Sequence, residues 1–244
     1  MHKDSKMMGE LVYGVHPVIE LLKAKKRKIL ALYTTKPTPK AWDQIQELLP
    51  KYPVAVNYVS KDALSNMAGT TDHQGIVGYA APFVYRSKPF DAQKQKFLLM
   101  LDGIQDTRNL GAILRSAYCT GVQGVIITKK NSVSLSAPAL KASAGLAEHL
   151  EIYLTNSAQS GAQELLAAGY TLYVTAFKGE PASKANFKSP LCVVIGSEGL
   201  GVTPAIIKMG TQITLEQRSP DISYNASVAA GILLYMVGTQ QNYI

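Results

Sequence analysis

Residues 97–117 read FLLMLDGIQDTRNLGAILRSA, and this stretch decides the fold. It opens on a continuous apolar run, 97–101, crosses a polar loop, and enters a helical pattern from Asn109 to Thr120. An apolar run without alternation is the mark of a strand buried on both faces. The pattern recurs downstream. Strands are expected at 124–128, 152–154, 172–176, 191–195 and 212–215, and helices at 137–147, 158–168, 203–208 and 226–237. Buried strands alternating with helices predict an α/β domain over 97–244, with a mostly parallel sheet covered on both faces.

Upstream lies a smaller α/β unit. Helices are expected at 15–22, 42–49 and, behind Ser60 as N-cap, through Met67; strands are expected at 29–33, 54–59 and 75–81. This gives a first domain over 1–80. Residues 82–96 (PFVYRSKPFDAQKQK) carry two prolines and no periodicity, so 81–96 reads as a linker. Charge divides the same way. Residues 1–96 hold 15 Lys and Arg against 8 Asp and Glu, whereas 97–244 hold 10 against 9. A basic front joined to a nearly neutral back points to a polyanion handled by the front, although a charge run is also what a solvated face looks like.

Cys119 and Cys192 lie far apart, outside any metal-ligand spacing, and read as reduced core thiols. No His, Cys, Asp and Glu cluster suggests a metal. No apolar run approaches the ~18 residues that span a bilayer, and MHKDSK does not lead into a signal-peptide core, so a soluble cytoplasmic protein is expected. His16, His73 and His149 fall outside the chemistry-bearing loops and read as structural.

In parallel sheets ligands bind beyond the carboxyl ends of the strands, and three loops there stand out. The first, 102–117, places Asn109 and Arg115 six apart around Gly111; a cap and a surface ion pair would look the same. The second, GSEGLG at 196–201, suits a tight loop whose amides face a ligand, as do many glycine-rich turns. It lacks the Lys of a phosphate loop, and no GxGxxG follows a first strand, which speaks against a dinucleotide enzyme. The third, SYNAS at 223–227, opens the last helix with favoured capping residues.

In this order, N-x-G-x-x-x-R-S-A, G-S-E-G-x-G and S-x-N-x-S-V-A resemble the three signature motifs of the SpoU/TrmH family, the 2′-O-ribose RNA methyltransferases of the SPOUT superfamily. VYGVHPVIELL near the start and HQGIVG at 73–78 resemble the substrate-binding domain of the subgroup that methylates a guanosine of 23S ribosomal RNA, a domain similar to a ribosomal protein of the L30e type. The resemblance implies a knotted catalytic domain, in which the C-terminal segment threads an earlier loop against the usual rules of connection. It implies a homodimer, an RNA substrate and S-adenosylmethionine as cofactor, at Gly196, Leu215 and Tyr224. It assigns Arg115 to the ribose hydroxyl, with Asn109, Glu198, Ser223 and Asn225 around it.

The chain departs from the family pattern where I-P-M is usual, with Leu215, Glu216 and Gln217, where S-L-N is usual, with Ser223, Tyr224 and Asn225, and at Ser219, where a glycine is usual. The family's arginine has been cast as a general base. A guanidinium holds its proton above about pH 12, so binding phosphate and stabilising a developing alkoxide is the other role open to Arg115. The rival readings are a transfer-RNA methyltransferase, a self-protecting resistance methylase of the same family, and a non-catalytic ribosome-assembly protein that keeps the fold.

Overall fold

A computed structural model describes residues 9–218 and 223–244; Ser219 and residues 1–8 lie outside the described residues. The chain divides into two compact units. One holds the residues up to Val84 together with Leu135–His149, and the other holds Tyr85–Ser134 with Leu150–Ile244.

The first unit contains β1 (Glu10–Tyr13), α1 (Val15–Ala24), β2 (Ile29–Thr34), α2 (Trp42–Leu48), β3 (Ala55–Tyr58), α3 (Lys61–Ala68) and β4 (Ile76–Ala80). Its sheet runs β1-β4-β2-β3, with β2 and β3 parallel and the other pairs antiparallel. Local chemistry sets the boundaries. Pro17 sits in the first turn of α1, where its missing N–H is no loss. Ser60 accepts from the Ala63 amide to cap α3, as its sequence position predicts, and Gly69 ends that helix in the left-handed region. β1 is an element of this unit that periodicity missed: four residues at a sheet edge carry too short a pattern to read.

The inserted segment corrects the sequence reading, which placed 137–147 as one helix of the second domain. The helix there, α5, covers only Ala137–Ala142. Ala144 and Gly145 then take positive φ, and a 3-10 turn covers Leu146–His149. A Cβ on Gly145 would lie 2.7 Å from Pro17 Cα, so only glycine lets this turn approach α1 so closely. His73 is fully buried. Its Nδ1 accepts from the Gly75 amide at 3.0 Å, leaving Nε2 to donate to Ser65 Oγ at 3.1 Å. Burial lowers its pKa, and the neutral ring staples the 69–75 turn, the structural role expected. His149 pairs with Glu20 at 2.8 Å, whereas His16 lies exposed on α1.

This unit also buries a charge pair. Arg27 Nη2 lies 3.1 Å from Glu148 Oε1, both side chains 1% exposed, and Arg27 Nη1 donates to Glu10 at 2.7 Å. Among the described residues neither Glu148 oxygen has a hydrogen-bond partner, and burial pushes its pKa up to about 7 against the pull of Arg27. The folded chain therefore binds this proton more tightly than the unfolded chain, whose carboxyl titrates near 4.5. The resulting stability is fully present below about pH 4.5 and is lost as pH rises to about 7, up to about 3 kcal/mol at 1.36 per unit. Trp42, the single tryptophan, reports on this unit by fluorescence. Its urea midpoint is expected to fall between pH 5 and pH 8 in the wild type and to stay flatter in Glu148→Gln. An equal slope in both proteins would refute the assignment.

The second unit contains β5 (Phe97–Asp102), α4 (Thr107–Cys119), β6 (Gly124–Thr128), β7 (Ile152–Thr155), α6 (Ala158–Ala167), β8 (Thr171–Pro181), β9 (Leu191–Gly196), α7 (Pro204–Ile207), β10 (Thr211–Thr214) and α8 (Ala226–Gln240). Its six strands are all parallel, in the order β10-β8-β9-β5-β6-β7. Every residue of β5, β6 and β9 is buried, which is why these strands read as unbroken apolar runs. The stretch read as a linker behaves otherwise. From Tyr85 on it belongs to this unit: Phe90 is 4% exposed in its core, Arg86 pairs with Glu151 at 2.6 Å, and the Gln95 carbonyl accepts from Tyr170 at 2.6 Å. Cys192 is buried as expected, but Cys119 is exposed on α4. Among the described residues no helix is long and apolar enough to cross a membrane.

Candidate active site

The strand order reverses beside β5. The chain builds outward through β6 and β7, then returns to lay β9 against the other side of β5. Such a switch point opens a crevice at the carboxyl ends of the strands. Asp102 and Gly196 end the two strands side by side in register. Asp102 is buried and accepts from the Thr203 amide at 2.7 Å, which fixes the far end of the loop that Gly196 begins.

That loop closes on itself. The Ser197 amide donates to the Gly201 carbonyl at 3.1 Å, and the Gly201 amide donates back at 3.0 Å. Residues 198–200 are left exposed at its tip. Beside it lies a cavity of about 770 Å³, a size typical of small-molecule sites. Five stretches of chain line it: 175–178 on β8, 195–202, Ile207 on α7, 213–217 running out of β10, and 223–224 with the adjoining face of α8. The three residues assigned to the cofactor, Gly196, Leu215 and Tyr224, all line this cavity, as do Glu198 and Ser223.

Asn109 joins them indirectly. Asp106 caps α4, accepting from the Arg108 and Asn109 amides at 2.6 and 3.1 Å, so the Asn109 side chain is free of capping. Its Nδ2 instead donates to Glu198 Oε1, joining the first and second loops across 89 residues of sequence. Asn225 takes the other reading open to it. It caps α8, accepting from the Ser227 amide at 2.9 Å and from the Ser227 hydroxyl at 2.6 Å, and it does not line the cavity.

Arg115 is not brought to the cavity wall. It lies exposed on α4, and among the described residues it makes no hydrogen bond or salt bridge. Tyr118, one turn on, is 43% exposed. On α8, which packs against α4, Val228, Ile232 and Tyr235 expose an apolar stripe at helical spacing. Two of the three departures from the family pattern meet in space: Tyr224 donates to the Glu216 carbonyl at 3.5 Å, tying the third loop to 215–217. Among the described residues no group of His, Cys, Asp and Glu is placed to hold a metal.

Sequence reasoning missed Asp102, Phe177, Lys178 and Leu200. Asp102 had a signal, a carboxylate ending an otherwise apolar strand. Phe177 and Leu200, 76% and 92% exposed at the cavity, had none, since nothing local marks an apolar residue that the fold leaves uncovered.

A profile of the SpoU rRNA Methylase family matches residues 96–235, and one described as RNA 2′-O ribose methyltransferase substrate binding matches residues 11–86. A Bacillus subtilis relative named for the TrmH family of tRNA/rRNA methyltransferases is 33% identical over 96% of both chains. A 23S rRNA (guanosine-2′-O-)-methyltransferase of Acinetobacter baylyi is 34% identical over 93% of this chain and 95% of its own. The crystal structure of an AdoMet-bound rRNA methyltransferase from Sinorhizobium meliloti aligns with a TM-score of 0.79 at 20% identity, covering 96% of this chain and 87% of that one. With a family profile matching each unit and relatives above 30% identity along nearly the whole chain, the chain belongs to the SpoU rRNA methylase family of S-adenosylmethionine-dependent RNA 2′-O-methyltransferases.

Proposed function

We propose that the protein methylates the ribose 2′-hydroxyl of a guanosine of 23S ribosomal RNA, as a cytoplasmic homodimer. The observation that carries this reading is the convergence of Gly196, Glu198, Leu215, Ser223 and Tyr224 on one cavity, with Asn109 bonded to Glu198. The match to the curated guanosine methyltransferase along nearly the whole chain supports the RNA and the base.

The residues present suit the cofactor. The cavity has room for it, and the missing side chain at Gly196 lets the backbone of Gly201 and Val202 close against β9, which shapes the wall. Gly196, Leu215 and Tyr224 would hold it. When bound, S-adenosylmethionine supplies a methyl group already activated by its sulfonium. The protein must then align a ribose hydroxyl and manage its proton. Glu198 is held through Oε1 by Asn109, which leaves Oε2 to receive that proton. Ser223 lines the cavity beside the hydroxyl, and Asn225 fixes the start of α8 behind it by capping the helix. Arg115 serves as the cation that binds phosphate and steadies the developing alkoxide.

The exposed stripe on α8 and Tyr118 on α4 form the face we assign to the homodimer. A second copy docked there would meet Arg115 directly. The front unit, with its mixed four-stranded sheet, is assigned as the L30e-like RNA-binding part, and the returning β9–α8 segment as the knotted one. The test is tritiated methyl transfer to ribosomal and transfer RNA in the presence of chelator, followed by mapping of the modified ribose. Transfer to a 23S guanosine by a species of twice 26.3 kDa is expected. Methyl on transfer RNA alone would overturn the substrate, and a strict divalent-metal requirement would overturn the chemistry.

A further inference from the structure

The basic surface of the first unit is interleaved with exposed aromatic rings along one edge of its sheet. β3 is an edge strand, parallel to β2 and paired on one side only. Tyr58 ends it, 48% exposed, with Lys36 Nζ 4.5 Å from the ring centroid and the Trp42 ring packed against it edge-on at 6.5 Å. Tyr52 precedes it, 36% exposed, with Lys28 Nζ 5.1 Å from its ring. Tyr52 is oriented by its hydroxyl, which accepts from the Ile29 amide at 3.0 Å.

The lysines here have no acidic partners. Lys25, Lys28, Lys36, Lys40, Lys51 and Lys61 are exposed, and none forms a salt bridge among the described residues. Between residues 23 and 61 the chain carries nine Lys and Arg against Asp43 and Glu47 alone. Free lysines attract a phosphate backbone whatever its sequence. Fixed, half-exposed tyrosines add a second requirement, because they offer π-faces that only unstacked bases can use. Duplex RNA keeps its bases stacked inside, so this combination selects single strands.

We propose that the β3 edge of the first unit is a binding surface for a single-stranded RNA segment, with bases stacked on Tyr58 and Tyr52 and phosphates on the lysines around them. This rests on the reading of the protein as an RNA methyltransferase only for the nature of the polyanion. The tyrosines mark the two ends of β2: Tyr52 bonds Ile29, and Tyr58 lies in register with Thr34. Five residue steps at ~3.3 Å separate those ends by about 17 Å, the rise of about five nucleotides in a stacked strand.

The experiment uses the full chain with fluorescein-labelled oligouridylates of four and twelve nucleotides and a twelve-pair RNA duplex, read by anisotropy. Tyr58→Ala is expected to weaken twelve-mer binding by about 5- to 150-fold, the range for losing one stacked base. Tyr52→Ala should do likewise for the twelve-mer, and the four-mer should feel only one of the two losses. Tyr58→Trp and Tyr58→Phe keep a ring at that position and should bind as the wild type, which separates stacking from folding damage. Lys36→Gln should lower the salt slope by about 0.7. A 5-iodouridine twelve-mer should photo-crosslink to the peptide holding Tyr58. Unchanged affinity in both alanine variants would overturn the proposal, as would equal losses on the duplex, which would mean charge alone. None of these readouts needs methyl transfer, so a failure of the enzymatic reading shows separately, as absent transfer with intact strand binding.

Discussion

Replacing Arg115 with alanine is expected to cut single-turnover methyl transfer by about 10²–10³, the usual cost of losing one preorganised group that stabilises developing charge. S-adenosylmethionine affinity should stay within a few-fold. The expectation follows from where Arg115 stands. It lies on α4, off the cavity wall where Gly196, Leu215 and Tyr224 converge. Among the described residues it holds no ion pair or hydrogen bond that its removal would break. A contact made as the hydroxyl becomes an alkoxide lowers turnover more than ground-state binding. Arg115→Lys should restore little, because an ammonium does not reproduce the planar fork. Were Arg115 only a surface charge, its loss would cost roughly 0–1 kcal/mol of stability and leave turnover intact. Near-wild-type turnover would therefore remove Arg115 from the reaction. The sedimentation mass of the variant should be checked alongside, since Arg115 shares a face with Tyr118.

Much of the second unit could be read from sequence because its strands are buried on both faces. Phe97–Asp102 and Leu191–Gly196 carry their environment in composition alone. What escaped was set by contacts distant in sequence. Leu135–His149 has ordinary helical periodicity, yet it joins the first unit, and the break at Ala144 and Gly145 is dictated by the approach of α1. Residues 85–96 look like a spacer, but Phe90 finds a place in the core. The site divides in the same way. Asn109 and Asn225 are equally plausible caps by sequence. Only the presence of Asp106 three residues earlier frees Asn109 to reach Glu198, while Asn225 has no such substitute and caps α8 itself.

The GSEGLG loop offers a graded test of the cavity, because its three glycines answer to different constraints. A Cβ on Gly196 would lie 2.1 Å from the Gly201 carbonyl carbon and 2.2 Å from the Val202 nitrogen. Both are backbone atoms, and they are held: Gly201 is paired with Ser197 in both directions, and Thr203 is anchored on Asp102. A methyl there cannot be absorbed by turning a side chain, so the loop itself must move. Overpacking of this kind costs about 1–3 kcal/mol. If relief comes by displacing residues 197–201, Glu198 leaves Asn109 and the cavity wall opens. Gly196→Ala is therefore expected to weaken S-adenosylmethionine binding by about 5- to 150-fold and to reduce transfer further, since misplacing the reacting groups by about 1 Å can cost 10²-fold in rate. Gly201 has open space around a Cβ but a φ of +66°. Alanine there meets only the left-handed penalty of about 1–2 kcal/mol, and its effect should be intermediate. Gly199 has neither a near neighbour nor a positive φ, so Gly199→Ala should bind the cofactor as the wild type does. Calorimetric titration of the three variants, with thermal melts to confirm folding, ranks them directly. If Gly196→Ala bound the cofactor as tightly as Gly199→Ala, the close packing of β9 against its own loop would not be what shapes the site.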